Sequence, residues 1–247
     1  MQNLNKVPQI TLAFWLIKMM STTVGETAAD YLNFNLHLGL TLTSAIMGVL
    51  LALALVIQFK AKKYIPWVYW LAVVFISVFG TLVTDNLTDH FEVPLKVSTA
   101  VFGLLLVTTF WVWYAQEKTL SINAINTPKR EAYYWLAILV TFALGTAAGD
   151  LISEDFGIGY LHAAMLFGGV IAATAAAHFI FRLNAVVTFW VVYVLTRPLG
   201  ASCGDWLAQP QKYGGLGLGV INTSWFFLGA IALLIGWLSY RESKTSA

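Results

Sequence analysis

Four aspartates, Asp30, Asp85, Asp150 and Asp205, stand 55, 65 and 55 residues apart, each near the end of a matched segment. The segments read FWLIKMMSTTVGETAADYL from Phe14, YWLAVVFISVFGTLVTDNL from Tyr69, YWLAILVTFALGTAAGDLI from Tyr134 and FWVVYVLTRPLGASCGDWL from Phe189. An aromatic and a Trp open every copy, a Gly follows eleven residues after the aromatic (Gly25, Gly80, Gly145, Gly200), and the Asp comes five later. Carboxylates are hard oxygen donors, suited to Mg²⁺, Mn²⁺, Ca²⁺ or protons more than to soft metals.

Residues four apart share a helix face. Reading back from each aspartate gives Lys18, Thr22, Glu26 and Asp30, then Ser77, Thr81 and Asp85, then Phe142, Thr146 and Asp150, then Arg197, Ala201 and Asp205. Lipid penalises such a polar stripe, so it must face the bundle interior or a water-filled vestibule. Five carboxylates, Glu26 and the four Asp, face two cations, Lys18 and Arg197, which need counter-ions at mid-helix depth, on their own stripe or on another repeat. Pro198 removes a backbone hydrogen bond and is expected to kink its helix and free carbonyls beside the site. The expected set is therefore Asp30, Asp85, Asp150, Asp205 and Glu26 as cation ligands, with the four aspartates as metal ligands, Lys18 and Arg197 as counter-ions, and Thr22, Ser77, Thr81 and Thr146 in support. A second reading leaves the aspartates at the outer interface, solvated or capping the next segment.

His162, three residues after Gly159, is a candidate proton relay or an interfacial hydrogen-bonding side chain. Ser202, Cys203 and Asp205 lack a neighbouring His and a G-x-S-x-G elbow, which argues against a hydrolase. One cysteine excludes an intrachain disulfide and a multi-thiolate metal site. A net charge of +2, with basic residues in short loops, gives no nucleic-acid surface. No nucleotide-binding motif is present, and no cofactor is expected.

The elements that must position these residues are apolar. With 59% hydrophobic and 11% charged residues and a mean hydropathy of +0.74, the chain is no ordinary soluble domain. Eight runs reach the roughly 20 residues that cross a bilayer: 9–31, 37–58, 65–86, 96–115, 131–152, 159–181, 185–207 and 216–239. Lys6, Lys60, Lys62, Lys63, Lys118, Lys129, Arg130, Arg182, Arg241 and Lys244 fall in alternate loops and the two termini. By the positive-inside rule these face the cytoplasm, and Asp89, Glu92, Glu154 and Asp155 mark the outer side. Residues 1–8 lead directly into the first run, with no small-residue cleavage pattern. The prediction is an all-α, polytopic membrane helical bundle of eight transmembrane helices, built from four two-helix parallel repeats in two duplicated halves. The first half is 1–120 (repeats 9–60 and 65–118) and the second 121–247 (repeats 131–182 and 185–240). The repeated Trp and aromatic read as cytoplasmic interface anchors, the Gly as a close-packing point.

On its G-x-x-x-x-D segments, notably GTAAGD at 145–150 and GASCGD at 200–205, the whole chain resembles a family of bacterial inner-membrane proteins described as uncharacterised membrane-anchored proteins. The resemblance implies bacterial origin, an inner-membrane location and an eight-helix membrane fold, and carries no activity. The pattern is also similar in design to cation/proton antiporters with duplicated acidic glycine motifs, although their E-x-G-D-K/R signature is missing. The expected function is secondary transport of a small cation, a divalent metal ion first, coupled to protons or not. The alternatives are a membrane-embedded metal-dependent enzyme and a non-transporting scaffold or sensor. The lipid bilayer and the cation are the expected partners, and a homodimer stays open.

Overall fold

Helices whose polar stripe must leave lipid have to turn those stripes toward one another, and the computed structural model of the protein does so. It describes residues 5–245; the outer ends of the two expected halves, residues 1–4 and 246–247, lie outside them. Eight long helices follow in order: α1 (Leu12–Asp30), α2 (Gly39–Lys60), α3 (Pro66–Asp85), α4 (Leu95–Glu117), α5 (Pro128–Asp150), α6 (Tyr160–Phe181), α7 (Ala185–Ala208) and α8 (Val220–Thr245). Their starts are written locally. The Thr11 and Thr127 hydroxyls accept from Phe14 and Arg130 amides, Asn184 accepts from Val186 and Val187, and Pro66 and Pro128 occupy first-turn positions where no amide is needed.

Among the described residues seven of these helices are long and apolar enough to cross a membrane. The exception is α1, the expected first span. Its buried Lys18, Ser21, Thr22, Thr23, Glu26 and Thr27 make it too polar to qualify by composition alone. That polarity faces inward, so neighbouring helices shield it.

The odd-numbered helices form a closed inner ring in the order α1, α3, α5, α7 and back to α1. The even-numbered helices lie outside, α2 on α3, α4 on α5, α6 on α7 and α8 on α1. Exposure separates the two shells: α3 buries 67% of its most apolar window and α6 only 11%. Leu53, Leu104, Val107, Met165 and Leu233 accordingly stand exposed on outer helices, as lipid-facing side chains do. The halves drawn at residue 120 meet along two edges of the ring, α3 on α5 and α1 on α7.

The repeated glycines set how close the ring can be. A Cβ at Gly25 would collide with Ser77, at Gly80 with Phe142, at Gly145 with Arg197 and at Gly200 with Thr22. Every partner lies three residues before the next repeat's glycine, so one contact recurs four times and closes on itself. Small residues permit this backbone approach.

One expectation changes. The repeated aromatics are not interface anchors, because Tyr69, Trp70, Tyr134, Trp135, Phe14 and Trp190 are buried. Tyr69 and Tyr134 share a hydroxyl hydrogen bond, and Phe14 packs on Trp70 and Phe189. They fill the ring end opposite the aspartates, where bulk is needed to exclude voids. Helix α7 continues through Pro198. The nearby Thr196 and Gly200 carbonyls accept from the Thr22 and Thr23 hydroxyls of α1, at 3.3 and 3.1 Å.

Candidate functional site

At the centre of the ring Arg197 is completely buried and joins all four inner helices. The two N–H groups of its Nη2 are shared among three acceptors, Glu26 Oε2 of α1 at 2.9 Å, Thr146 Oγ1 of α5 at 2.7 Å and Thr81 Oγ1 of α3. Nη1 reaches the Thr22 carbonyl at 3.5 Å. Thr81 and Thr146 can accept because their own protons go back along the helix, to the Ser77 and Phe142 carbonyls. Glu26, Thr81 and Thr146 each directly follow a repeated glycine, so the close approach that the glycines allow brings them within reach of one guanidinium. The Nε of Arg197 has no partner among the described residues. A buried charge left partly unsatisfied is held less firmly than one with every donor engaged.

Outward of Arg197 lies one cavity of about 660 Å³, lined by Glu26, Asp30, Asp85, Asp150 and Asp205 among others. The four repeated aspartates therefore converge, one from each inner helix. Asp30 accepts from Gln209 Nε2 at 3.5 Å, whereas the carboxylates of Asp85, Asp150 and Asp205 have no hydrogen-bond or ion-pair partner among the described residues. Asp205 is only 7% exposed. Asp89, Glu154, Gln209 and Tyr213 also line the cavity and were not in the expected set. Asp89, Glu154 and Gln209 follow their aspartates by four residues, so reading each stripe forward as well as backward would have found them. Among the described residues no lysine or arginine lines this cavity.

The cations are placed differently from the within-helix reading. Arg197 does not turn to Asp205 on its own helix; its counter-ion is Glu26, on another repeat. Lys18 does not pair with Glu26, and no carboxylate lies within ion-pair distance of it among the described residues. Its Nζ donates to Thr196 Oγ1 at 3.0 Å and lies 4.4 and 4.7 Å from the Tyr193 and Phe142 ring centres. Lys18 belongs instead to the packed plug between Arg197 and the aromatic layer.

Thr22 and Ser77 serve packing, since they fill the contacts against Gly200 and Gly25 and do not line the cavity. His162 is not brought to the site. It is exposed on α6, outside the ring, and its Nδ1 donates to the Ile158 carbonyl at 3.0 Å. Among the described residues no three His, Cys, Asp or Glu side chains are grouped closely enough to hold one metal ion. The aspartates thus ring a roomy space and do not form a tight metal shell.

After Asp30, Asp85 and Asp150 the helices widen into five-residue π-helical turns, Tyr31–Asn35, Asn86–His90 and Leu151–Asp155. Such wider turns occur often at functional sites. The fourth copy has none: α7 ends at Gln209 and Pro210.

Four stretches of the chain, residues 13–64, 68–119, 133–184 and 188–244, match the model of a repeat family of unknown function, DUF347. No curated protein and no solved structure matches the chain. The matched stretches cover most of the sequence, each takes in one inner helix and the outer helix after it, and the chain belongs to this repeat family in four copies.

Proposed function

We propose that this protein is a secondary transporter of a small cation, with the acidic cavity as its loading vestibule and the Arg197–Glu26 pair as the plug beneath it. The observation that carries the reading is the convergence of Asp30, Asp85, Asp150 and Asp205 on one cavity that contains no basic side chain. A solvated structural cap has no need to converge. A dry scaffold would pair its buried carboxylates, and three of these four are unpaired.

In this reading all eight helices span the inner membrane of a bacterium as four parallel repeats, with both termini in the cytoplasm and the aspartates near the outer face. Helix α1 crosses despite its polarity because the ring encloses it. A cation entering the vestibule competes with Arg197 for Glu26, and the partly unsatisfied guanidinium can shift as the halves move about the ring axis. Movement of one half against the other is how repeat-built transporters expose a midplane site alternately to each side.

The test is uptake into proteoliposomes with a panel of cations, comparing the wild type with Asp150→Asn and Asp205→Asn. Saturable uptake that falls at least tenfold in both variants is expected. Absence of movement for every cation, or normal uptake by both variants, would overturn the site.

A further inference from the structure

Resting on the transport reading, we infer that the cation taken by this vestibule is a linear polyamine, a chain of ammonium groups joined by methylenes. The carboxylates are stacked along the ring axis in tiers. Glu26 lies one helical turn inward of the four aspartates, and Asp89 and Glu154 lie one turn outward of Asp85 and Asp150, all on the same cavity wall. Four α-helical residues advance about 6 Å, which is the step from Glu26 to the aspartate tier; the outer tier follows through the wider π-helical turns Asn86–His90 and Leu151–Asp155, where the advance is shorter. Two amines separated by four methylenes lie about 6 Å apart when extended, given bonds of about 1.5 Å. Two ammonium groups so spaced therefore match the step from Glu26 to the aspartates, and a third ammonium would meet the outer carboxylates Asp89 and Glu154.

Three further observations favour this occupant. First, Asp205 is only 7% exposed, has no partner among the described residues and lines the cavity. A carboxylate so buried and unpaired is aimed at a cation that arrives from outside. Second, a dehydrated Mg²⁺ or Ca²⁺ needs six or more oxygens at about 2.0–2.6 Å, and no three of the acidic, His or Cys side chains among the described residues are grouped for it. An ammonium needs only one or two carboxylates and keeps some water. Third, Leu95, Val220 and the Tyr213 ring stand on the same wall and suit methylenes. The innermost tier already accommodates an organic N–H donor: the Arg197 guanidinium, bound by Glu26, Thr81 and Thr146.

The experiment measures uptake of radiolabelled spermidine and putrescine, and of Mn²⁺ and Mg²⁺, in proteoliposomes containing the full chain. Wild type is compared with Asp205→Asn and with the outer-tier variants Asp89→Asn and Glu154→Gln, whose amides keep an oxygen to accept from Thr88 and Tyr160. Spermidine should enter saturably, compete with putrescine and be retained more tightly than it. Loss of Asp205 should reduce uptake of both amines, and loss of either outer carboxylate should raise the KM for spermidine roughly tenfold while changing that for putrescine less, as removal of a charge-assisted contact implies. Uptake of Mn²⁺ or Mg²⁺ without any polyamine uptake or competition would overturn the polyamine assignment and leave the transport reading standing. Movement of neither class would overturn both. Equal effects of the outer-tier variants on the two amines would sink the tiered arrangement.

Discussion

At the residue scale the protein depends on a buried guanidinium that one carboxylate and two hydroxyls hold in place. Breaking a buried ion pair from one side costs about 3–5 kcal/mol, because the remaining charge has no solvent. Glu26→Ala should therefore melt far below the wild type in detergent, and Thr81→Val or Thr146→Val should each cost about 1 kcal/mol. Replacing both charges is a different matter. The double variant Glu26→Met with Arg197→Met should recover most of the stability lost by Glu26→Ala, since well-packed apolar residues often substitute for a buried pair without loss. It should nevertheless fail to transport, which separates a plug from a mere strut. Thermal unfolding and proteoliposome uptake on the same preparations check both halves of this expectation. A double variant with normal uptake would remove Arg197 and Glu26 from the mechanism.

At the scale of elements the glycine contacts decide the architecture. A Cβ at Gly200 would sit 1.6 Å from Thr22 Oγ1, whereas one at Gly103 on α4 meets nothing within 4 Å. Gly200→Leu should lower stability by at least the roughly 1–3 kcal/mol of an overpacked core, with Gly103→Leu near neutral. Equal melting temperatures for the two would mean that the ring is looser than drawn. These elements were largely legible in advance. Long apolar runs placed all eight helices, with ends within about four residues except that α8 runs on six residues past the expected 239, because length and hydropathy are local properties, and the four-fold spacing of Gly and Asp revealed the repeat. The π-helical turns after Asp30, Asp85 and Asp150 were not legible, since they change backbone pitch without a composition signal. The partner of Arg197 was not legible either. Lys18 stands twelve residues before its aspartate and Arg197 eight, so Lys18 lies one turn deeper, and at those two depths the order of helices round the ring brings Arg197 to Glu26 and Lys18 to Thr196, Tyr193 and Phe142. For the same reason Asp89 and Glu154 read as outer-loop charges until the ring placed them on the cavity wall.

At the scale of the whole molecule the ring is open to the cavity on the aspartate side and closed on the other, and transport requires that the closed end yield. Below Arg197 come Lys18, the buried Tyr and Trp layer, and then a short N-terminal strap. In the strap Val7 is buried, the Lys6 amide donates to the Ile125 carbonyl, and Lys6 Nζ bonds Glu131 Oε2 at 2.7 Å and the Phe59 carbonyl at 2.9 Å. Glu131, at the start of α5 and 1% exposed, also accepts from Gln58 at the end of α2. The strap thus ties the first half of the ring to the second at the end that the proposed transport would have to open. Cysteine accessibility in a Cys203→Ser background can follow that opening. Thr88→Cys, on the cavity wall, should react with a membrane-impermeant maleimide added from the outer side, and Ile138→Cys, fully buried on α5, should react from neither side. Adding Glu131→Gln removes the carboxylate that holds Lys6, so the closed end should open more often, and Ile138→Cys should become reactive from the side opposite the cavity while Thr88→Cys slows. If Ile138→Cys stays inert in that background although cation uptake continues, the strap is not the gate, and the opening must run between other helices of the ring.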